Sequence, residues 1–296
     1  MTRFTPCSLM LLFLLACGNN NNQTASRTQH NDTVSITSQG AHINYEDSKS
    51  GDTTLLFVHG WCINNTYWSA QKEHFAPRYR VVTIDLPGFG KSGKQRDTWS
   101  VENYGKDIHT MISRLGLKNV ILVGHSMSGA IVLETALEHP EDVIAIVGVD
   151  NFKDADYEET DALRKENDAF YQSARENFRE SMGPAVINQW LFAKNTDTAI
   201  MHRVTIDILT ADTTIAVDCL ELNDRYPLAR KLPQYSHTLY LINSSGFPTD
   251  TAAFTKLKIR YKLYEVGPTG HYPMLESTDK FNSALESVLA DIGQGK

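Results

Sequence analysis

The chain has 296 residues, of which 41% are hydrophobic and 21% are charged, with 18 glycines and 10 prolines. This composition is ordinary for a globular protein with a large core, and it excludes a collagen, a coiled coil and a wholly disordered chain. The formal net charge is −7, so the chain lacks the basic field that attracts nucleic acid. We therefore expect no nucleic-acid partner.

The first 32 residues have the pattern of an export signal followed by a tether. Arg3 precedes an apolar run at 9–16 that is too short to cross a bilayer as a helix. The sequence Leu-Leu-Ala-Cys at 14–17 resembles the lipobox of bacterial lipoproteins, which implies a signal peptide at 1–16 and a lipidated Cys17. Residues 18–32 contain almost nothing to bury, so 17–32 is predicted to be a flexible tether. The expectation is an exported protein of the bacterial cell envelope, anchored on a periplasmic or surface face by its lipid alone.

From residue 33 onward, strand-like apolar runs alternate with helical patterns. This alternation predicts an α/β fold with a mostly parallel central sheet flanked by helices. Two strands around Gln39-Gly40 are predicted to form a hairpin. The strands are predicted at 34–38, 42–46, 54–59, 80–84, 120–123, 143–149, 238–243 and 258–266, and helices at about 66–75, 100–115 and 128–139.

One connection, between the strands that end at 149 and begin at 238, is much longer than an ordinary α/β connection. Its periodic segments, at about 157–181, 184–192, 196–209 and 213–222, predict three or four helices. The sequence thus divides into a core at 33–150 and 236–296 and a helical cap at 151–235, inserted before the penultimate strand. The alternative is a peripheral helical decoration with no part in substrate binding.

The segment Gly124-His125-Ser126-Met127-Ser128-Gly129 carries the strongest chemical signal. An apolar strand leads into it and a helical pattern follows, which is the context of a nucleophile elbow. Small residues two before and two after the serine let the strand and helix backbones pass closely. Ser128 replaces the usual second glycine, and it is still small. The sequence therefore predicts Ser126 as a nucleophile.

A serine hydroxyl needs a base and a site for the oxyanion. His271, in the glycine-rich loop Gly267-Pro268-Thr269-Gly270-His271 after the last predicted strand, has the position of a general base. The residue after the nucleophile, Met127, and a residue of the loop after an early strand, Trp61, are the predicted backbone donors of an oxyanion hole.

Together these segments resemble the α/β-hydrolase superfamily. The resemblance rests on the strings VHGW at 58–61, DLPGFG at 85–90, GHSMSG at 124–129 and GH at 270–271, and it covers the chain from about residue 33 to its end. It implies a capped serine hydrolase of the esterase, lipase or lactonase type, without a cofactor. Serine at the elbow argues against epoxide hydrolases and haloalkane dehalogenases, which attack with an aspartate.

The triad acid departs from the common pattern of that superfamily. Alignment places Phe247 where the acid usually stands after the penultimate strand, and a phenyl ring cannot orient an imidazolium. Asp150, directly after the strand at 143–149, is the preferred candidate. Asp250 is the alternative, although it also has the pattern of a helix cap.

The predicted reaction is hydrolysis of a carboxylic ester, or a related acyl bond, of a small and fairly apolar substrate through an acyl-enzyme. Phe152 and Trp190 are candidate contacts for its apolar group. A carbon–carbon bond hydrolase, a perhydrolase and a catalytically silent ligand-binding lipoprotein remain alternatives. Cys62 and Cys219 have no metal-binding spacing, so no metal is expected, and whether they form a disulfide is left open.

Overall fold

The computed structural model describes residues 34–294. The predictions of a signal peptide at 1–16, a tether at 17–32 and lipidation at Cys17 concern residues outside this part. Among residues 34–294, no helix is long and apolar enough to cross a membrane.

A seven-stranded sheet lies at the centre of the described residues. Its strands stand in the order β3-β5-β4-β6-β7-β8-β9, and every neighbouring pair is parallel except β3 with β5. β1 and β2 form a separate antiparallel pair. The strands are β1 (Ile36–Ser38), β2 (Ala41–Ile43), β3 (Tyr45–Asp47), β4 (Thr54–Val58), β5 (Arg80–Ile84), β6 (Val120–His125), β7 (Val143–Val149), β8 (Leu239–Asn243) and β9 (Tyr261–Glu265).

The central strands are apolar on both faces because helices cover both sides of the sheet. Every residue of β4, β6 and β8 is buried, as expected for strands in the interior of a parallel sheet. The helices are α1 (Ser69–Phe75), α2 (Val101–Leu115), α3 (Ser128–Glu138), α4 (Asp161–Glu176), α5 (Phe178–Ser181), α6 (Pro184–Leu191), α7 (Thr198–Thr210), α8 (Thr213–Asp224), α9 (Leu228–Lys231), α10 (Thr251–Lys256), α11 (Pro273–Glu276) and α12 (Thr278–Gln294).

Helices α4 to α9 all lie between β7 and β8, the penultimate strand of the chain. Four of them, α4, α6, α7 and α8, correspond to the four periodic segments of the sequence. The residues of α5 fall within the predicted segment at 157–181, which is interrupted at Asn177 and forms α4 and α5 instead of one helix. The four-residue helix α9 was not expected, since one turn leaves no readable period. We keep the name cap for residues 151–235. The C-terminal helices α11 and α12 were also not expected.

The predicted strand at 42–46 is wrong, because two strands replace it. Residue Asn44 separates β2 from β3, and its backbone and side chain bind the loop after β5. Its amide side chain donates to Asp85 at 2.8 Å, and its backbone N–H donates to the Ser92 hydroxyl at 2.8 Å. Its carbonyl accepts the Asp85 N–H at 2.8 Å. The strand therefore changes partner at Asn44, from the β1 hairpin to the main sheet.

Candidate active site

Ser126 lies on a strained bend between β6 and α3. Its φ of 53° is in the left-handed region, which is uncommon for a residue with a side chain and is characteristic of functional sites. The bend requires glycine at position 124, since a Cβ there would lie 2.5 Å from the Ser128 carbonyl oxygen. Ser128 itself is fully buried, and its hydroxyl donates to the His59 carbonyl. Ser128 thus fits the place usually taken by a glycine.

His271 connects the serine to a carboxylate. Its Nε2 lies 2.7 Å from the Ser126 Oγ, and its Nδ1 lies 2.6 Å from the Asp150 Oδ2. Two contacts hold its backbone: the His271 N–H donates to the Leu191 carbonyl of the cap, and the His271 carbonyl accepts from His125 Nε2, both at 2.7 Å. Because Asp150 occupies Nδ1 as an acceptor, Nε2 is free to receive the hydroxyl proton.

Asp150 follows β7, and its carboxylate is fully buried with every oxygen partnered. Oδ2 accepts from His271, whereas Oδ1 accepts from the Ser244 N–H at 2.9 Å and from the Lys153 ammonium at 2.7 Å. Burial alone would raise the pKa of this carboxyl, but the hydrogen bond and charge of His271 and the charge of Lys153 hold the pKa at about 2. Asp150 is therefore ionised at neutral pH, and a carboxylate must be ionised to stabilise an imidazolium beside it.

The alternative acid, Asp250, does not contact His271. It caps the N-terminus of α10, where its carboxylate accepts the backbone N–H groups of Ala252 at 2.9 Å and Ala253 at 3.4 Å. Phe247, which stands at the usual place of the acid, contacts Lys153: its carbonyl oxygen lies 2.8 Å from the ammonium, and its ring centroid lies 5.4 Å away. Of the two candidates, only Asp150 is brought to the imidazole.

The loop after β4 lies against the serine at the predicted oxyanion hole. A Cβ at Gly60 would lie 3.1 Å from the Ser126 Cβ, so the loop backbone approaches closely only because residue 60 is glycine. Within residues 34–294, the backbone N–H groups of Trp61 and Met127 donate no hydrogen bond. The Trp61 indole donates to the Ala216 carbonyl of α8 at 2.7 Å and ties this loop to the cap.

Two spaces of different character open on Ser126. The smaller is a cavity of about 110 Å³ between the elbow and the cap, lined mainly by apolar side chains that include Trp190. The larger is a more polar groove of about 490 Å³, which Phe152 and Lys153 line. The two residues predicted to contact substrate therefore line different spaces, Trp190 the cavity and Phe152 the groove.

The two cysteines of the described residues are free thiols, both buried. Cys62 belongs to the loop after β4. Cys219, on α8, lines the cavity and lies 3.2 Å from the Tyr104 hydroxyl. Burial raises the pKa of Cys219 to about 12 and the pKa of Cys62 well above its usual value, so neither is a thiolate at neutral pH.

Sequence reasoning missed three groups of the site. These are the Lys153 ammonium, the Ser244 N–H and the Leu191 carbonyl, and each binds Asp150 or His271. Backbone groups carry no sequence signal of their own. Lys153 stands three residues after the candidate acid, and a lysine at that spacing was a signal in the sequence that could have indicated an ion pair with Asp150.

A comparison with models of protein families identifies the family of this chain. The model of the alpha/beta hydrolase fold family matches residues 53–278, well over half of the chain. The chain belongs to the α/β hydrolase family. The matched range of this α/β hydrolase includes the elbow, the cap and the loop of His271.

Individual relatives match over shorter segments. The uncharacterised hydrolase YugF of Bacillus subtilis is 34% identical over 108 residues, 36% of this chain and 40% of the relative. A bifunctional esterase/perhydrolase of Acinetobacter calcoaceticus is 32% identical over 111 residues, 37% of this chain and 40% of the relative. This α/β hydrolase thus spans less than half the length of these curated relatives.

A solved structure matches over nearly the full fold. A thermophilic esterase from Thermogutta terrifontis, solved with malate bound, superposes with a TM-score of 0.74 at 20% identity and covers 88% of this chain and 98% of its own. At 20% identity, this similarity shows a shared fold and nothing about the substrate.

Proposed function

We propose that this protein is a serine hydrolase that cleaves a carboxylic ester, or a related acyl bond, through an acyl-enzyme. The observation that carries the proposal is the continuous chain of contacts from the Ser126 Oγ through His271 to Asp150, with separations of 2.7 and 2.6 Å. A nucleophile, a base and an orienting acid in this arrangement perform acyl transfer on several unrelated folds.

The reaction follows from the position of each proton. His271 Nε2 takes the hydroxyl proton as the Ser126 Oγ attacks the carbonyl carbon, and the ionised Asp150 stabilises the imidazolium. The negative charge on the former carbonyl oxygen faces the N–H groups of Trp61 and Met127. His271 then returns the proton to the leaving oxygen, and the alcohol departs. Water attacks the acyl-enzyme by the same route and releases the acid.

The cavity supports a small apolar group as part of the substrate. Its volume of about 110 Å³ equals about four water-sized groups, taking ~30 Å³ for each. Its apolar walls include Ile187 and Leu220 of the cap. We assign a short chain of two to about four carbons to the cavity and the more polar remainder of the substrate to the groove.

The names of relatives and neighbours agree with this chemistry. Among them are the esterase/perhydrolase of Acinetobacter calcoaceticus and the Thermogutta terrifontis esterase. They support an ester-type reaction in general and do not assign a substrate.

A fluorophosphonate probe and a series of p-nitrophenyl esters test the proposal. Wild type should be labelled at Ser126 and should hydrolyse the acetate and butyrate esters faster than the decanoate and longer esters. Ser126→Ala should lose both labelling and hydrolysis. Ser287→Ala, an exposed serine of α12, should retain both. Absence of labelling in folded wild type would refute the proposal and favour a silent ligand-binding protein.

Perhydrolysis is the second candidate, favoured by the bifunctional relative. The same triad would form an acyl-enzyme from a short carboxylic acid, with loss of water, and hydrogen peroxide would then release a peracid. Peracid formation from acetate and hydrogen peroxide, absent in Ser126→Ala, measures this activity. If it exceeds ester hydrolysis, the perhydrolase becomes the main function.

We also propose that the protein acts at a bacterial membrane, anchored through a lipid on Cys17. The support is the lipobox-like sequence at 14–17. In cell fractionation, wild type should sediment with membranes, and Cys17→Ala should be found in the soluble fraction.

A further inference from the structure

Lys153 is bound to the triad carboxylate on the oxygen opposite His271. Its ammonium lies 2.7 Å from the Asp150 Oδ1, and its side chain is only 17% exposed. The Phe247 carbonyl accepts from the same ammonium at 2.8 Å, and the Phe247 ring lies beneath it. Two further groups thus fix the ammonium on the carboxylate, which distinguishes it from a mobile surface ion pair.

The Lys153 ammonium beside Asp150 acts against the usual role of a triad carboxylate, which is to stabilise the imidazolium. In a Ser-His-Asp triad, the carboxylate stabilises the imidazolium with its full negative charge. A cation on the other oxygen reduces the charge that Asp150 presents to His271, because Oδ1 and Oδ2 share one charge. Lys153 therefore weakens the electrostatic support that Asp150 can give to a positive charge on His271.

We propose that Lys153 is a positioning residue that fixes the Asp150 carboxylate and extends the activity of His271 toward acid pH. The proposal rests on the proposed hydrolase function only for its kinetic readout. A purely structural role would alter the rate equally at every pH, whereas this role moves the acid limb of the pH profile.

Besides Ser126 and Asp150, titratable groups from β6 and α11 lie around His271. From β6, His125 contacts its carbonyl, and burial lowers the pKa of His125 to about 3, so this ring is neutral. From α11, Glu276 accepts the backbone N–H groups of the His271 loop, at 2.9 Å from Gly270 and 3.2 Å from Tyr272.

The remaining neighbours carry no positive charge. Burial raises the pKa of Tyr272, and the cap side chains that share the cavity with His271 are uncharged at neutral pH. Among residues 34–294, Lys153 is the one lysine or arginine bound to Asp150.

The test compares wild type with Lys153→Met and Lys153→Arg. The first readout is the NMR titration of the His271 imidazole, assigned with His271→Gln, which needs no substrate. The midpoint should rise by roughly half to one pH unit in Lys153→Met, since a charge ~4–6 Å away shifts a titration by about 1–3 units and Lys153 acts through a second group. Lys153→Arg should restore the wild-type midpoint to within a few tenths of a unit.

The second readout is the pH dependence of fluorophosphonate labelling and of kcat/KM. The acid limb should move upward by the same amount in Lys153→Met, with a smaller loss on the plateau. Lys256→Met is the matched control, because it removes an equal charge from a 71% exposed lysine of α10 that pairs with Asp156 instead. Lys256→Met should leave the acid limb of the pH profile unchanged. Lys153→Gln replaces Lys153→Met if the latter does not fold.

The outcomes separate the two proposals. An unchanged His271 midpoint in folded Lys153→Met overturns the role of Lys153, whether or not the protein hydrolyses esters. A shifted midpoint in a protein that neither labels nor hydrolyses supports Lys153 and overturns the hydrolase. A shift of the same size in Lys256→Met would reduce the effect to net charge and also overturn the assignment to Lys153.

Discussion

Replacing Asp150 by asparagine should abolish most of the activity for a reason that lies in the contacts of Oδ1. That atom accepts from the Ser244 N–H and the Lys153 ammonium, so the oxygen of a new amide must take this side. The amide NH₂ then faces His271 Nδ1 and forces it to be an acceptor. The imidazole proton moves to Nε2, which can no longer take the proton of Ser126.

The expected loss in Asp150→Asn is about 10⁴-fold in kcat, the magnitude that the wrong imidazole tautomer causes in a serine protease triad. This equals about 5.5 kcal/mol of transition-state stabilisation, at ~1.36 kcal/mol for each factor of ten. The assay is steady-state hydrolysis of p-nitrophenyl butyrate, with circular dichroism to show that the variant is folded.

Asp250→Asn is the matched control for this prediction. Asparagine caps a helix about as well as aspartate, so both α10 and the rate should change little, by less than about twofold. A larger loss in Asp250→Asn than in Asp150→Asn would refute the assignment of the acid. Equal activity of Asp150→Asn and wild type would show that the carboxylate does not orient His271 during the reaction.

Three further predictions concern the bend, the buried histidine and the cavity. Gly124→Ala should destabilise the fold by about 1–3 kcal/mol and abolish fluorophosphonate labelling, because the new Cβ would lie 2.5 Å from the Ser128 carbonyl oxygen. Thermal denaturation measures the loss of stability. The control is Gly293→Ala, which has open space around its Cβ and should match wild type. The pKa of His125 is about 3 in the folded protein and ~6.5 in the unfolded chain, so the unfolded chain takes up a proton more readily. The contribution of His125 to the free energy of unfolding is therefore fully present above pH ~6.5 and decreases as the pH falls from there toward 3. Urea titrations from pH 6.5 to pH 4 should thus show wild type losing roughly 3 kcal/mol more than His125→Gln, and parallel curves would contradict the burial of a neutral ring. Leu220→Ala should enlarge the cavity by one isopropyl group and shift the ester preference toward chains longer by one or two carbons, and an unchanged chain-length profile would show that the cavity does not hold the variable group.

Much of the fold was predictable because the central strands and long helices carry strong periodic signals. Residues 120–123, which form most of β6, are all apolar, and α2 has Ser100 as its N-cap and Gly116, with a φ of 56°, at its end. These local signals agree with the packing of the whole molecule, so the sequence alone is enough to predict where these strands and helices lie. The elbow at Ser126 was predictable for the same reason, since its small residues are a local requirement of the bend.

Elements that depend on distant partners were not predictable. The break between β2 and β3 arises because Asn44 binds Asp85 and Ser92, which lie some forty residues later. The spacing of Lys153 from Asp150 is local, but the Phe247 carbonyl that also binds the ammonium lies in a loop 94 residues away. No period or local motif reports such a contact, so only the folded chain shows it.

Asp150, the proposed triad acid, and Lys153 form one arrangement with the loop after β8. Since β6, β7 and β8 are parallel neighbours, their carboxyl ends meet at the same edge of the sheet, and an acid after either β7 or β8 starts near the base. With Asp150 after β7, the loop after β8 contributes other groups: the Ser244 N–H and, through the Phe247 carbonyl, a fixed ammonium. The phenylalanine that occupies the usual place of the acid therefore does not leave a gap in the site. Its main-chain carbonyl binds the ammonium that pairs with Asp150, so the loop after β8 and the carboxylate after β7 hold the same lysine.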